Sequence, residues 1–283
     1  MRETARSLVA AAVEQGTSEF VETVAARLPL SVICDLMGVP REDWELMYSL
    51  TSTAFGTADA AEQSVAHQEI LFYYVDLAEQ RRRDPRDDLV STLVTGDVDG
   101  VSLTNEEILL NCDNLMVAGT ETVRYATAGG MLAFIEHPDQ WKRLETERGL
   151  LETAVEEILR WSSPPLHILR TATSHVEIGG QAILPGQAVT VWTPSVNRDE
   201  EAFDAPDDFD VGREGNRHLT LGAGEHFCLG AALARLELRV LFEELLDQVL
   251  QVELAGPVQR VRSLITFGVE RMPVALTATP GPT

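Results

Sequence analysis

Apolar residues recur at helical spacing through the first third of the chain. Phe20, Val21, Val24 and Leu28 follow a 3.6-residue repeat, and Pro29 bends or restarts a run that continues to Met37 before Gly38 and Pro40 stop it. Residues 44–55 and 61–82 repeat the pattern, so residues 1–94 predict consecutive helices. A longer helix is predicted over residues 104–136, where Thr104 can form a cap with Glu107 and His137-Pro138 marks the end. Within it Ile108, Cys112, Leu115, Gly119, Thr122 and Ala126 are spaced by 3 or 4 and share a face. Residues 150–161 predict a further helix, ending before Ser162-Ser163-Pro164-Pro165.

The period then changes. Val176-Glu177-Ile178 and residues 188–191 alternate, with turns at Gly179-Gly180 and Pro185-Gly186, and predict short strands. An irregular acidic stretch around residues 197–206 leads to a helix over residues 229–248, and the chain reads as strands from Val252 onward. The expectation is a mainly α fold with small β-sheets in a single domain over residues 1–283. Its helical part covers about 1–165 and 229–248, and its small sheets about 167–193 and 250–280. No internal repeat or low-complexity linker interrupts it.

Composition adds a solubility class and excludes some partners. Hydrophobic residues make up 45% and charged residues 24%, ordinary values for a globular chain. With Lys+Arg 22 against Asp+Glu 45, the net charge of -23 repels phosphate backbones and anionic lipid, so nucleic acid and membrane are not expected partners. No apolar run reaches the ~18 residues of a membrane span, and none at the start resembles a signal peptide; a cytoplasmic protein is expected. The cysteines, Cys34, Cys112 and Cys228, are odd in number and far apart, which suits a reducing compartment.

Candidate chemistry is densest over residues 218–235, HLTLGAGEHFCLGAALAR. Gly222 and Gly224 permit a tight turn, and Cys228 opens an Ala/Leu-rich helical run whose dipole favours a thiolate. A redox pair or zinc site lacks a second nearby cysteine. A Cys/His nucleophile pair with His226 or His218, a single axial thiolate on heme iron, and a small buried hydrophobe all remain open on these residues alone. Upstream, Ala118-Gly119-Thr120-Glu121-Thr122 places a glycine and a threonine inside a helix, at a cost of ~1 kcal/mol for the glycine. Such small residues suit either a close helix crossing or room for a flat cofactor.

The segment Gly222-Ala223-Gly224-Glu225-His226-Phe227-Cys228-Leu229-Gly230 resembles the cysteine-ligand loop of bacterial cytochrome P450s, the heme-thiolate monooxygenases. Leu221 stands where that family usually has Phe. The AGTET stretch resembles its distal-helix motif, Glu157-Ile158-Leu159-Arg160 its ExxR motif, and Phe209-Asp210-Val211-Gly212-Arg213 the segment that supplies a third network partner.

The resemblance implies a cytochrome P450 fold and heme b (iron protoporphyrin IX) as cofactor. It makes Cys228 the axial ligand, with Ala118, Gly119, Leu221 and Gly222 against the heme and His226 and Arg170 at its carboxylates. Glu121 and Thr122 become the catalytic pair, Thr122 hydrogen-bonding dioxygen or an ordered water and Glu121 connecting to bulk protons. Glu157, Arg160 and Arg213 form a structural network. It further implies insertion of one oxygen atom from O2 into a small organic substrate, with electrons from a ferredoxin and its reductase. Arg217, Arg235 and Arg239 are the candidate docking cations. The family's usual N-terminal section has no counterpart before Met1 in this reading, and the alternative expectation is a non-catalytic or partner-dependent heme-binding fragment.

Overall fold

A computed structural model describes residues 1–56 and 59–280; residues 57–58 and 281–283 of the expected single domain lie outside the described residues. Helix α1 (Arg2–Gln15) buries Ala5, Val9 and Ala12, spaced by 4 and 3, and leads into strand β1 (Thr17–Glu19). A π-turn over Val21–Ala25 precedes α2 (Arg27–Met37), where Pro29 sits in the first turn and its missing N–H is no loss. Gly38 then takes φ 74 and closes the helix in the left-handed region.

Next come α3 (Trp44–Gly56) and α4 (Ala60–Arg83), followed by α5 (Leu89–Thr95), capped by Asp88. A short hairpin joins β2 (Asp97–Val98) to β3 (Val101–Ser102) and leads into α6 (Asn105–Glu136), with the Thr104/Glu107 capping box present. Pro138 starts α7 (Pro138–Thr146) in the position where proline suits a helix best, so the expected stop is also a start. The amphipathic α8 (Leu151–Ser162) ends in Ser163 at φ 41.

Two hairpin-like pairs follow. Strand β4 (His167–Thr171) pairs antiparallel with β7 (Ala188–Trp192), and β5 (Val176–Ile178) pairs with β6 (Gln181–Ile183). A turn of helix, α9 (Thr193–Val196), leads into a long irregular segment that ends at α10 (Ala231–Gln248). After α10 come β8 (Val249–Leu254), β9 (Gln259–Arg260), β10 (Val269–Arg271) and β11 (Pro273–Ala278).

Helix α6 is the axis. Its first half, through Ile108, Cys112 and Met116, packs into an apolar cluster with residues of α2, α3, α4 and α5. Its second half, from Val123 to Phe134, packs into a second cluster with α1, α8 and α10. Arg2 and Arg6 of α1 reach the buried Glu244 of α10, Arg6 Nε to Oε2 at 3.1 Å, and fix the first helix on the last.

The helical reading of residues 1–94 omits β1, and that strand owes its form to the far end of the chain: Thr17, Ser18 and Glu19 pair with Ala275, Val274 and Pro273 of β11. Three residues carry no alternation to read. The β2/β3 hairpin did leave a signal, Asp99-Gly100 between valines, with φ 55 and 80 as such a turn requires. Helix α10 begins at Ala231, with Gly230 as its cap, so Cys228 lies before the helix rather than opening it.

Candidate active site

Beneath the cysteine loop lies a closed polar network. Arg160 is fully buried and donates Nε and Nη2 to the two oxygens of Glu157, each at 2.7 Å, three residues back on α8. Its Nη1 donates to the carbonyls of Asn197 and Pro206 at 2.8 Å, and Nη2 to that of Asp208 at 2.9 Å. Arg213 Nε donates to Glu157 Oε2 at 3.1 Å while Nη2 donates to the Asp208 and Ala205 carbonyls. The Asp210 amide and the Asn216 side-chain amide complete the carboxylate at 2.9 Å. One ion cluster therefore ties α8 to the irregular segment that carries the chain towards Cys228.

A second buried node continues upward. Asn197 donates to Ser163 Oγ and Thr220 Oγ1 at 2.8 Å and accepts from the Leu219 amide, and Thr220 Oγ1 donates to the Leu159 carbonyl. Asn197 and Thr220 lie in stretches read in the sequence, the acidic segment around residues 197–206 and the run 218–235, but neither was given a role there, and only the fold brings both to the end of α8. From there the loop is short. The Gly222 amide donates to the Leu219 carbonyl, and the Cys228 amide donates to that of Leu221 at 2.9 Å.

Leu221 is buried in the core, so it anchors the loop by its side chain and holds the cysteine by its carbonyl. Gly222 and Gly224 adopt φ 73 and 71, where only glycine sits without strain. Around Cys228 the loop turns outward: Phe227 is 50% and Leu229 91% exposed, and His226 is exposed in a short turn. Arg170 is also exposed on β4, and among the described residues its side chain bonds the Leu169 carbonyl alone.

The distal motif divides across α6. Ala118 is exposed and Thr122 half-buried, and the Thr122 hydroxyl donates to the Ala118 carbonyl at 2.8 Å. Gly119 and Glu121 face protein instead. A Cβ on Gly119 would come 2.8 Å from Ile33 Cδ1, so the glycine makes room for α2, the close helix crossing that was one of its two readings. Glu121 is buried and pairs with Arg124 at 3.2 Å, whose Nη2 donates to the Tyr125 hydroxyl at 2.8 Å. Burial pushes the Glu121 carboxyl above its ordinary range, against the opposing pull of Arg124 and Tyr125. Arg124 was missed in the sequence, although its i+3 spacing from Glu121 repeats that of Glu157 and Arg160.

The expected docking cations are largely committed. Arg235 binds Glu156, Nε to Oε1 at 2.6 Å, and Arg239 lies 3.6 Å from Glu152 and 3.8 Å from Glu243. Arg217 is exposed with no ion pair among the described residues.

A heme fits the chemistry of this set. One cysteine, an uncommitted arginine and histidine for two carboxylates, and exposed Phe227, Leu229, Leu169 and Trp192 match a flat apolar ring with an anionic edge. A cytochrome P450 family model matches residues 31–269, and the chain belongs to the cytochrome P450 family.

Among curated relatives it is 41% identical to "Cytochrome P450 NovI" of Streptomyces niveus, covering 98% of this chain and 69% of the relative. It is 40% identical to the "Steroid C26-monooxygenase" of Rhodococcus jostii, covering 97% and 59%. The structure of Mycobacterium marinum cytochrome P450 CYP268A2, in complex with pseudoionone, superposes with a TM-score of 0.91 at 32% identity, over 97% of this chain and 69% of that one. The chain thus spans between 59% and 69% of the length of these relatives. Among the described residues no helix is long and apolar enough to cross a membrane.

Proposed function

We propose that this chain is the core of a heme-thiolate monooxygenase that inserts one oxygen atom from O2 into a small organic substrate in the cytoplasm, with electrons from a ferredoxin and its reductase. The observation that carries the reading is the outward Cys228 loop held from behind by the Glu157–Arg160–Arg213 cluster. When bound, the heme would supply oxygen activation, and a thiolate ligand would donate electron density to it.

The chain's own residues bind, orient and move protons. Cys228 Sγ would supply the thiolate that holds the heme, and Arg170 and His226 would pair with its carboxylates. Ala118, exposed on α6, would leave space for the ring with its single methyl group. Thr122 has its proton committed to the Ala118 carbonyl, which leaves its oxygen free to accept from an ordered water. Glu121, on the protein-facing side of α6, has Oε2 without a hydrogen-bond partner among the described residues, and in this reading it would connect the site to bulk protons.

The first test is the carbon monoxide difference spectrum of the reduced, heme-supplemented protein. A red-shifted thiolate-type Soret band that disappears in Cys228→Ser supports the assignment; an unshifted band in the parent overturns it. A second reading, a heme-binding chain whose turnover needs another polypeptide, is supported by the exposure of the adjacent Leu264 (86%) and Ile265 (66%). Substrate-dependent NAD(P)H use by the isolated chain, given reductase and ferredoxin, would decide against it.

A further inference from the structure

Helices α8 and α6 each carry a buried acid with an arginine three residues on, and the fold completes only one of the two pairs. On α8, Glu157 accepts from Arg160, Arg213, Asn216 and the Asp210 amide, so both of its oxygens are answered. On α6, Glu121 Oε1 lies 3.2 Å from Arg124 Nη1, and one polar atom of each partner is left over. Glu121 Oε2 and Arg124 Nε are buried without a hydrogen-bond partner among the described residues.

The pair is enclosed and held from one side. Glu121 is 5% exposed, Arg124 8% and Tyr125 1%, so water does not answer the leftover atoms freely. Arg124 Nη2 donates to the Tyr125 hydroxyl at 2.8 Å, and its Cζ stands 4.7 Å from the centre of that ring. Tyr125 is fixed in turn by the chain entering β10: a Cβ on Gly268 would come 2.5 Å from Tyr125 Cδ1, so the backbone there lies against the ring. The tyrosine thus seats the guanidinium, and the guanidinium grips one oxygen of the acid.

We propose that Arg124 is a positioning residue for Glu121, gripping Oε1 on the protein-facing side of α6 and leaving Oε2 as the oxygen that takes up and releases a proton, with Tyr125 seating Arg124. The inference deepens the heme-thiolate reading and rests on it for its purpose. Burial favours the neutral acid, and Arg124 and Tyr125, both on α6, oppose it. Tyr48 of α3 bears on Arg124 but not on Glu121, and among the described residues no charged group of another element bears on the acid. Arg124 keeps its own charge, because Glu121 and Tyr125 together outweigh the cost of burying it. Without the guanidinium, burial would act on Glu121 nearly unopposed and the acid would hold its proton to higher pH.

The heme-free chain gives the first readout. The infrared carbonyl band of a protonated carboxyl, taken as the part of the parent spectrum that Glu121→Gln removes, is followed against pH. In Arg124→Gln that band should persist to a pH about one unit or more above the parent, a tenfold tighter hold on the proton. Arg124→Lys keeps a charge and should bring the midpoint back to within about half a unit of the parent. Tyr125→Phe, which frees the guanidinium, should move the midpoint upward by less than Arg124→Gln does. In the heme-loaded protein, given ferredoxin and reductase, the pH dependence of peroxide formed per NAD(P)H should move in the same direction in Arg124→Gln.

An unmoved midpoint in a folded Arg124→Gln would overturn the inference and leave the pair a structural pin. An equal shift in Arg124→Lys would overturn it too, since the charge would then not be what acts, as would the absence at every pH of a band that Glu121→Gln removes. Should Arg124→Gln fail to fold, Tyr125→Phe decides: an upward shift supports the inference and none overturns it. If the parent takes up no heme, the function reading fails while the infrared readout still decides this one.

Discussion

The Glu157 cluster and the Cys228 loop are tied together through Asn197 and Thr220, yet the protein finishes one and leaves the other open. Glu157 and Arg160 are fully buried, and the oxygens of Glu157 accept from Arg160, Arg213, Asn216 and the Asp210 amide. Around Cys228, Phe227 and Leu229 face outward, and Arg170 makes no ion pair among the described residues. A buried charge must be answered within the fold, because water cannot answer it. Exposed apolar surface and a cation without an ion pair are what a bound group could complete.

Breaking the closed side should have the largest effect. Glu157→Ala strands Arg160 and Arg213 without a counter-charge and should cost about 3–5 kcal/mol in denaturant unfolding. A loss under ~1 kcal/mol would mean that the cluster is no more demanding than a surface pair. Glu237 sharpens the same point from within α10. It is buried, its Oε2 has no partner, and desolvation raises its carboxyl to about 8.

A carboxyl that ionises near 4.5 when unfolded and near 8 when folded holds its proton more tightly in the native state. Its contribution is complete below the unfolded value and is lost as pH rises to the folded one. Thermal stability should therefore fall between these two pH values, and Glu237→Gln should remove that slope, worth on the order of a few kcal/mol. A parent and variant with parallel pH profiles would show that Glu237 finds a partner.

Gly119→Ala probes a close approach on the far side of α6. Its new methyl would press on Ile33, so a loss of about 1–3 kcal/mol is expected, relieved when Ile33→Ala is added. The smallest stability change, under ~1 kcal/mol, should follow Thr122→Ala, which loses one hydroxyl bond to a helical carbonyl. On the open side its effect should appear in chemistry: heme binding intact, with more peroxide formed per NAD(P)H consumed. Unchanged coupling would remove Thr122 from the proton path proposed for it.

Much of this was legible in one dimension. Helix α6 announced itself by Thr104, Glu107 and the apolar repeat behind them, and α8 by its strong amphipathic period. The residues of the Glu157 cluster could be named because the family resemblance pointed to Glu157, Arg160 and Arg213; a spacing of three alone marks only a common helical pair. What escaped was whatever depends on a distant partner. Strand β1 exists because β11 lies beside it, Gly119 is small because α2 is near, and Arg235 is a bonded cation because Glu156 meets it across two helices.

Local sequence thus determined the helices, the turns at Gly222 and Gly224 and the candidate ligand Cys228, since period, caps and backbone freedom act within a few residues. Tertiary structure alone decided which polar groups are sealed and which are left uncommitted. Burial and ion pairing are properties of what packs against a side chain, and the residues that do so here come from helices and strands far apart in the chain.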